Sequence, residues 1–304
     1  MSCQICGHET IEKISLYKHI WLKCSECGNA KKIKRERYAL QFIANLSIFT
    51  VLLKNIPKVR AIHNLVKNLG KNEEGIDLYD HYLQDGIVTS HGSPWEGHSA
   101  KLLEEIKSNI THDTKSMTVL DISGGPGYVI NELRENFSSV SVTEFSPTTV
   151  HRMSKLLNLR SHLYNFNSMQ LKEVTKQKYD LILSRHALNF VDDINDFAFQ
   201  LSKSVNKDGF LYLSFVTTNV QAMVRWQMED YIYNYLFDCD YLSKIFSDFG
   251  FQEVHRETIK GPHFLEKKSI FKPIFLTTIF INKLSKIFKE DPTTKSAMII
   301  FRKQ

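Results

Sequence analysis

Apolar and polar positions alternate with a regular rhythm over the second two-thirds of the chain. Five short β-rich runs, MTVLDI (117–122), SVSVTEF (139–145), SHLYNF (161–166), YDLILS (179–184) and GFLYLSFV (209–216), are separated by stretches of helical spacing such as PTTVHRMSKLLN and DINDFAFQLSKSV. Strands that alternate with helices predict a parallel sheet covered on both faces, with ligands bound beyond the carboxyl ends of the strands. Two later runs, FQEVHRETI (251–259) and SAMIIFRK (296–303), also carry strand patterning.

The first third reads differently. Apolar residues Leu40, Ile43, Ala44, Ile48, Val51 and Leu52 recur at helical spacing, and Pro57 ends or kinks that helix. A polar, turn-rich stretch, GKNEEGIDLYDHYLQDG, separates it from a second helix near WEGHSAKLLEEIKSNI (95–110), with Tyr82 and Trp95 as caps of a pocket mouth or, preferred, as buried anchors. The most apolar windows, 38–53 and 270–288, are too short or too interrupted to span a bilayer, which needs about 20 apolar residues.

Composition narrows the class. At 304 residues, 42% hydrophobic and 24% charged, the chain has room for one large domain and a small module. A net charge of +6 is too mild and too dispersed to mark a nucleic-acid protein by itself. Its densest basic run, KKIKRER (31–37), reads as a solvated helix start or as a contact to phosphate or an anionic surface. The amino terminus shows no secretory pattern, so a cytoplasmic setting is expected.

Four of the five cysteines form two C-x-x-C pairs, Cys3 and Cys6, then Cys24 and Cys27, with 17 residues between the pairs. This spacing fits two knuckles that direct four thiolates at one Zn2+, a closed and therefore structural site. Two disulfides or a redox-active pair fit less well, because the first needs an oxidising compartment and the second a βαβ context. Cys239 stands alone as a buried apolar thiol.

The predicted strand ends share a rim. Asp121 closes the first strand and Glu144 the second; Asn165 and Asn167 follow the third, and Ser184, Arg185 and His186 follow the fourth. The loop after the first strand, ISGGPGYVI, is rich in glycine and lets backbone N–H groups approach a ligand. A dinucleotide fingerprint would run from Gly125 through Gly127 to a third glycine, but that position is Ile130.

VLDISGGPGYV, with Glu144 23 residues beyond Asp121, resembles motifs I and II of class I S-adenosylmethionine-dependent methyltransferases over roughly residues 95–304. The resemblance implies a Rossmann-like α/β fold, a seven-stranded mostly parallel sheet with an antiparallel last strand. It implies a cofactor site built from Asp121, Ser123, Gly124, Gly125, Gly127, Glu144, Phe145, Asn167 and Ser184. Asp121 would lie near the methionine moiety, the glycines against the cofactor, Glu144 on the ribose hydroxyls and Asn167 near the adenine amino group. Ser123 departs from the pattern, which usually has glycine there.

SRHALNF is also similar to the H-x-L-E-H region of methyltransferases acting on sugars and surface glycans, enzymes that often begin with a paired C-x-x-C module. His186 and Leu188 keep that pattern, while Asn189 and Phe190 replace the acid and the second histidine. A sugar, nucleotide-sugar or glycan-related acceptor is therefore expected, in the setting of polysaccharide biosynthesis. RNA is the alternative acceptor, and a non-catalytic cofactor-binding scaffold the alternative class.

His186 is the expected general base, since an ordinary histidine titrates near neutral pH. Arg185 would pair with a substrate phosphate or with a local carboxylate such as Asp192, the latter preferred. The aromatics Trp226, Tyr231, Tyr233, Tyr235 and Tyr241 form either a sugar-stacking wall or core. The expected organisation is a zinc-ribbon-like module (1–35), a helical segment and linker (36–94), and a methyltransferase domain (95–304) with a helical insertion at 261–295. That insertion either packs on the domain or, through 270–288, makes peripheral contact with a membrane. Oligomeric state is left open by the sequence.

Overall fold

The computed structural model describes residues 11–16, 19–27, 29–35, 97–218, 235–260 and 294–304. Near the amino terminus, β1 (Ile11–Leu16), β2 (His19–Cys24) and β3 (Ala30–Arg35) form an antiparallel ribbon. The segments expected as helix and linker at 36–94, the aromatic residues Trp226, Tyr231 and Tyr233, and the 261–293 part of the insertion lie outside the described residues.

The larger unit follows the alternation of its sequence. Helix α1 (His98–Asn109) precedes β4 (Thr118–Ile122), α2 (Tyr128–Leu133), β5 (Ser139–Glu144), α3 (Pro147–Leu157), β6 (Arg160–Leu163), α4 (Leu171–Thr175) and β7 (Tyr179–Arg185). Then come α5 (Ile194–Ser204), β8 (Val205–Val216), the short β9 (Tyr235–Leu236), α6 (Cys239–Asp248), β10 (Phe251–Lys260) and β11 (Thr294–Lys303).

Seven strands make one sheet in the order β10-β11-β8-β7-β4-β5-β6. Strands β8, β7, β4, β5 and β6 are parallel neighbours, and β11 inserts antiparallel between β8 and β10. The chain leaves β4 toward β5 on one side and returns to β7 on the other, which makes the end of β4 the switch point where such sheets bind ligands.

Period-two alternation divides the core between the two faces. Leu120, Ile182, Ile299 and Phe301 pack with Phe197 and Phe246 of α5 and α6. Val119, Leu181, Leu183, Met298 and Ile300 pack with Ile106, Ile130 and Met153 of α1, α2 and α3. Helix starts are fixed locally: Ser146 Oγ accepts from Thr149 N ahead of Pro147, and Asp193 and Asp238 cap α5 and α6 in the same manner. Among the described residues no helix is long and apolar enough to cross a membrane.

The ribbon does not stand apart. Ala30 and Lys31 of β3 pair with Leu236 and Tyr235 of β9, giving a second sheet ordered β1-β2-β3-β9. Asn29 Oδ1 accepts from Asp238 N at 2.8 Å, and Asn29 is 2% exposed. The amino-terminal module therefore shares a sheet with the segment leading into α6.

Candidate functional site

The turn after β4 is shaped by its sequence. Ser123 (φ 54°), Gly125 (φ 60°) and Gly127 (φ 79°) all adopt left-handed backbone, and Gly127 N donates to Gly124 O at 3.2 Å. Gly127 starts α2, and a Cβ there would meet Met153 Sδ at 2.7 Å. A Cβ at Gly124 would stand 2.5 Å from Val142 and 3.0 Å from Asp121 Oδ2, so the turn lies directly on β4 and β5. Ser123 reaches the same left-handed conformation at a cost of about 1–2 kcal/mol. The departure from glycine thus strains the turn.

Both carboxylates at this rim are buried. Glu144, 1% exposed, accepts from Gly125 N through Oε2 (3.0 Å) and from Phe145 N through Oε1 (2.7 Å). The acid of β5 and the glycine turn of β4 are therefore one hydrogen-bonded unit. Asp121 is 0% exposed, and its Oδ2 accepts from Arg185 Nη2 at 2.6 Å. Phe145 lies next in sequence with 49% of its surface exposed, a large ring left open at the rim.

The arginine at the end of β7 is thus bound differently from expectation: its carboxylate partner is Asp121, not Asp192. The register explains this. Ile122 pairs with Ser184, so Arg185, one residue on, stands at the level of the glycine turn and beside the acid of β4. Asp192 instead donates its backbone N–H to Asn167 Oδ1 at 2.9 Å. Asn167 Nδ2 donates to Phe190 O at 3.0 Å, so its side chain ties the loop after β6 to the loop after β7. Ser184 is 0% exposed with an unpartnered Oγ.

His186 also sits in left-handed backbone (φ 58°), its N–H donating to Ser214 O at 2.7 Å. His186 is exposed at the rim; the protein crowded around it and the charges of Arg185 and His98 push its pKa down, to about 4. His98, the first residue of α1, is lowered as well, by burial and then by Arg185. Sequence patterning did not single out His98: its place at the rim follows from α1 packing on α2, where Ser99 Oγ donates to Glu132 at 2.5 Å, and on β8, where Tyr212 Oη donates to Glu105 at 2.7 Å.

Asn189, where the resembled pattern has an acid, is fully buried. Its Nδ2 donates to Val216 O (3.0 Å) and Tyr235 O (2.9 Å), and its Oδ1 accepts from Val216 N (2.8 Å). A carboxylate could not make the two donations. The amide therefore joins the end of β8 to β9, the strand on which the ribbon pairs. Tyr235 and Tyr241 belong to the core or pack on it, which answers the stacking-wall reading for these two rings in favour of core.

Of the four paired cysteines, Cys24 and Cys27 are described: both are buried, 2% and 4% exposed, in a turn closed by Cys24 N donating to Asn29 O at 3.0 Å. Cys3 and Cys6 lie outside the described residues. Among the described residues no group of three or more His, Cys, Asp or Glu is placed to hold a metal ion. Cys239 is half-buried, its thiol pushed up to about 12 by burial. A separate cavity of about 440 Å³ opens beside β6, lined by His162, Leu163, Met169 and Glu173 among others, and shares no residue with the rim.

A parallel sheet of this order, with a glycine turn over its first strand and a buried acid ending the second, defines a Rossmann-like site for a nucleoside-bearing ligand. A family profile described as "Methyltransferase domain" matches residues 95–256, more than half of the chain, and the chain belongs to that family. It is an S-adenosylmethionine-dependent methyltransferase.

Solved structures are similar in fold at low identity. A Haloferax volcanii protein described as a methyltransferase, solved in complex with the Trm112 methyltransferase activator, superposes with TM-score 0.53 at 13% identity, covering 76% of this chain and 99% of that one. A Bacillus halodurans C-125 protein described as a methyltransferase gives 0.51 at 13% identity over 67% and 98%. A SAM-dependent methyltransferase from Archaeoglobus fulgidus gives 0.52 at 12% identity over 69% and 96%. No curated protein matches the sequence at a significant level.

Proposed function

We propose that the rim formed by β4, β5 and β7 binds S-adenosylmethionine, and that the chain transfers its methyl group to a sugar, nucleotide-sugar or glycan-related acceptor. One observation carries the cofactor reading: Glu144 is locked by two backbone N–H groups, one of them from the glycine turn. A carboxylate accepts well from a pair of ribose hydroxyls, and the donors that hold this one are part of the same cradle. Asp121, on the same sheet face as Glu144, has a buried oxygen without a partner, which fits a polar ligand.

When bound, the cofactor supplies an activated methyl group on a sulfonium, for in-line displacement by the acceptor. The chain's own residues then have assigned tasks. Glu144 holds the ribose, Phe145 covers the adenine, Asn167 borders it, and Asp121, Ser123, Gly124, Gly125, Gly127 and Ser184 line the remaining wall. His186, neutral above about pH 4, accepts the proton of an acceptor hydroxyl at its free ring nitrogen. The acceptor class rests on the H-x-L pattern together with the paired cysteine module.

The four cysteines Cys3, Cys6, Cys24 and Cys27 would hold one structural Zn2+, and residues 1–35 would be a module separate in sequence from the 95–304 domain. The buried thiols and tight turn at Cys24 and Cys27 suit that role. A four-thiolate site of this kind goes with a reducing, cytoplasmic setting.

Calorimetry with S-adenosylmethionine tests the cofactor reading: the wild type binds, and Glu144→Ala loses affinity at least about tenfold while retaining its melting cooperativity. A folded, metal-replete wild type that shows no binding heat sinks it. A methyl-transfer screen over nucleotide sugars tests the acceptor. Tight RNA binding that falls steeply with salt would favour the RNA alternative instead.

A further inference from the structure

Helix α5 turns one face to the core and leaves an apolar ring on the other. Ile194, Phe197, Ala198 and Leu201 pack inward, whereas Phe199, at the middle of the helix, keeps 45% of its surface exposed. The ring is held in place: it meets Phe249 edge-on with centroids 6.2 Å apart, and Lys203 Nζ stands 5.2 Å from its centroid. Asp196 lies three positions before Phe199 and Lys203 four after, so all three share one stripe of the helix.

Charge is ordered along that stripe. Helix α5 runs antiparallel to β7 and leads straight into β8, so it spans the domain from the rim to the opposite end of the sheet. Its rim end carries Asp192, Asp193 and Asp196. Its far end carries Lys203, joined by two lysines of other elements: Lys178 precedes Tyr179, which pairs with Val205, and Lys303 donates to Phe249 O at 2.6 Å. Their nearness is felt, since Lys303 titrates below the ordinary lysine range through burial and then through Lys203 and Lys178. Among the described residues no carboxylate forms an ion pair with these three lysines, and no cation forms one with Asp196. The helix dipole accounts for an acid at the start of α5 and a base at its end, but not for Lys178, Lys303 or the open ring between the charges.

A face with acid at one end, a ring in the middle and base at the other is complementary to itself when turned through a half-circle about the ring. We propose that two copies of this chain associate through α5, antiparallel about a twofold axis at Phe199, so that the two rings meet and Lys203 of each copy faces Asp196 of the other. The spacing suits it: Asp196 and Lys203 lie about 4.5 and 6 Å from Phe199 along the helix axis, so opposite charges come level across the contact. Helices α4 and α6 flank α5 on the same face of the sheet and widen the contact toward the roughly 800 Å² per partner of a specific dimer. Because α5 runs from one end of the sheet to the other, the twofold sends the two rims to opposite ends of the dimer and leaves both open.

Sedimentation equilibrium on the full chain tests this. The wild type should show twice the chain mass, with a dissociation constant that rises several-fold when salt is raised into the range that screens surface charge. Phe199→Glu should raise that constant by at least about 100-fold, because it puts two like charges where the rings met. Lys203→Glu and Asp196→Lys should each raise it by about tenfold. The two carried together in one chain restore opposite charges across the axis, and should return the constant to within about threefold of wild type. A thermal melt of each variant shows that the fold is kept. Should Asp196→Lys melt early, Phe199→Glu and Lys203→Glu, both on the exposed side of α5, still decide the matter.

A wild type that stays monomeric at every concentration overturns the proposal. So does a dimer that survives Phe199→Glu and Lys203→Glu, since its interface would lie elsewhere, or a double exchange that weakens association further, since the antiparallel pairing would then be wrong. The methyl-donor reading stands or falls separately: calorimetric affinity for S-adenosylmethionine should be unchanged in Phe199→Glu, whose position on α5 is away from the rim.

Discussion

Replacing Asn189 by alanine tests the join between the catalytic sheet and the ribbon. The side chain makes three hydrogen bonds with no solvent access, so truncation strands Val216 N, Val216 O and Tyr235 O together. At about 1 kcal/mol of net stability per bond the loss is about 3 kcal/mol. For a domain of roughly 200 residues that is a fall of roughly 6–12 °C in melting temperature. Urea denaturation followed by intrinsic fluorescence should show a lower midpoint with an unchanged slope.

Asn189→Asp sharpens the same test. The carboxylate keeps the bond from Val216 N but faces two carbonyl oxygens, and burial adds a desolvation cost. Its carboxyl would therefore have a pKa raised above that of the unfolded chain. A raised acid carries no penalty while both states are protonated, and the penalty grows as pH rises through the unfolded value near 3.9. The aspartate variant should then fall below the alanine variant at pH 7 and approach or pass it near pH 4. Should Asn189→Ala lie within about 0.5 kcal/mol of wild type, or Asn189→Asp exceed it at pH 7, the three-bond account is refuted.

Three further outcomes follow from the site. Ser123→Gly removes left-handed strain and a buried unpartnered hydroxyl at the price of backbone entropy, so it should stabilise by about 1 kcal/mol in a thermal melt; a loss of that size would count against the turn geometry. With His186 depressed to about 4, kcat/KM should stay level from pH 7 down to about 5 and fall only through about 4, whereas a limb near 6.5 would mean that this histidine is not shielded as described. Elemental analysis should find one zinc per chain in the wild type and a large loss in Cys24→Ser; full retention there would dismiss the four-cysteine site.

What the sequence made legible is what repeats. Seven strand runs were placed within a few residues of β4–β8, β10 and β11, because period-two burial on a two-faced sheet writes itself into the chain. Asp121 and Glu144 could be read as a rim for the same reason, since each closes a run. The Arg185 to Asp121 pair was not legible: it depends on register between β4 and β7, which are 64 positions apart at these residues. Local pattern marks Asn189 only as a residue in the place of an acid, yet its role is fixed by a backbone carbonyl 46 positions away. His98 came to the rim through helix packing that no local spacing encodes.

These misses have a common physical basis, and it bears on how the two modules act together. A ribbon of three short strands has little apolar surface to bury, and its third strand would otherwise present an open edge. Here β3 closes that edge on Leu236 and Tyr235, Asn29 adds the bond to Asp238 N, and Phe237 bridges to Thr217 at the end of β8. Tyr235, Leu236 and Phe237 are each buried, so the strand that receives the ribbon is anchored in the core beneath the rim. Ordering the cysteine turn therefore orders β9, and through Asn189 the turn that follows Arg185 and His186. Loosening the ribbon should accordingly show first as faster amide exchange at 235–237 and 187–190, before any change in β4 or β5. Early exchange in β4 or β5 would mean that the ribbon stabilises the domain as a whole instead of this one edge of the site.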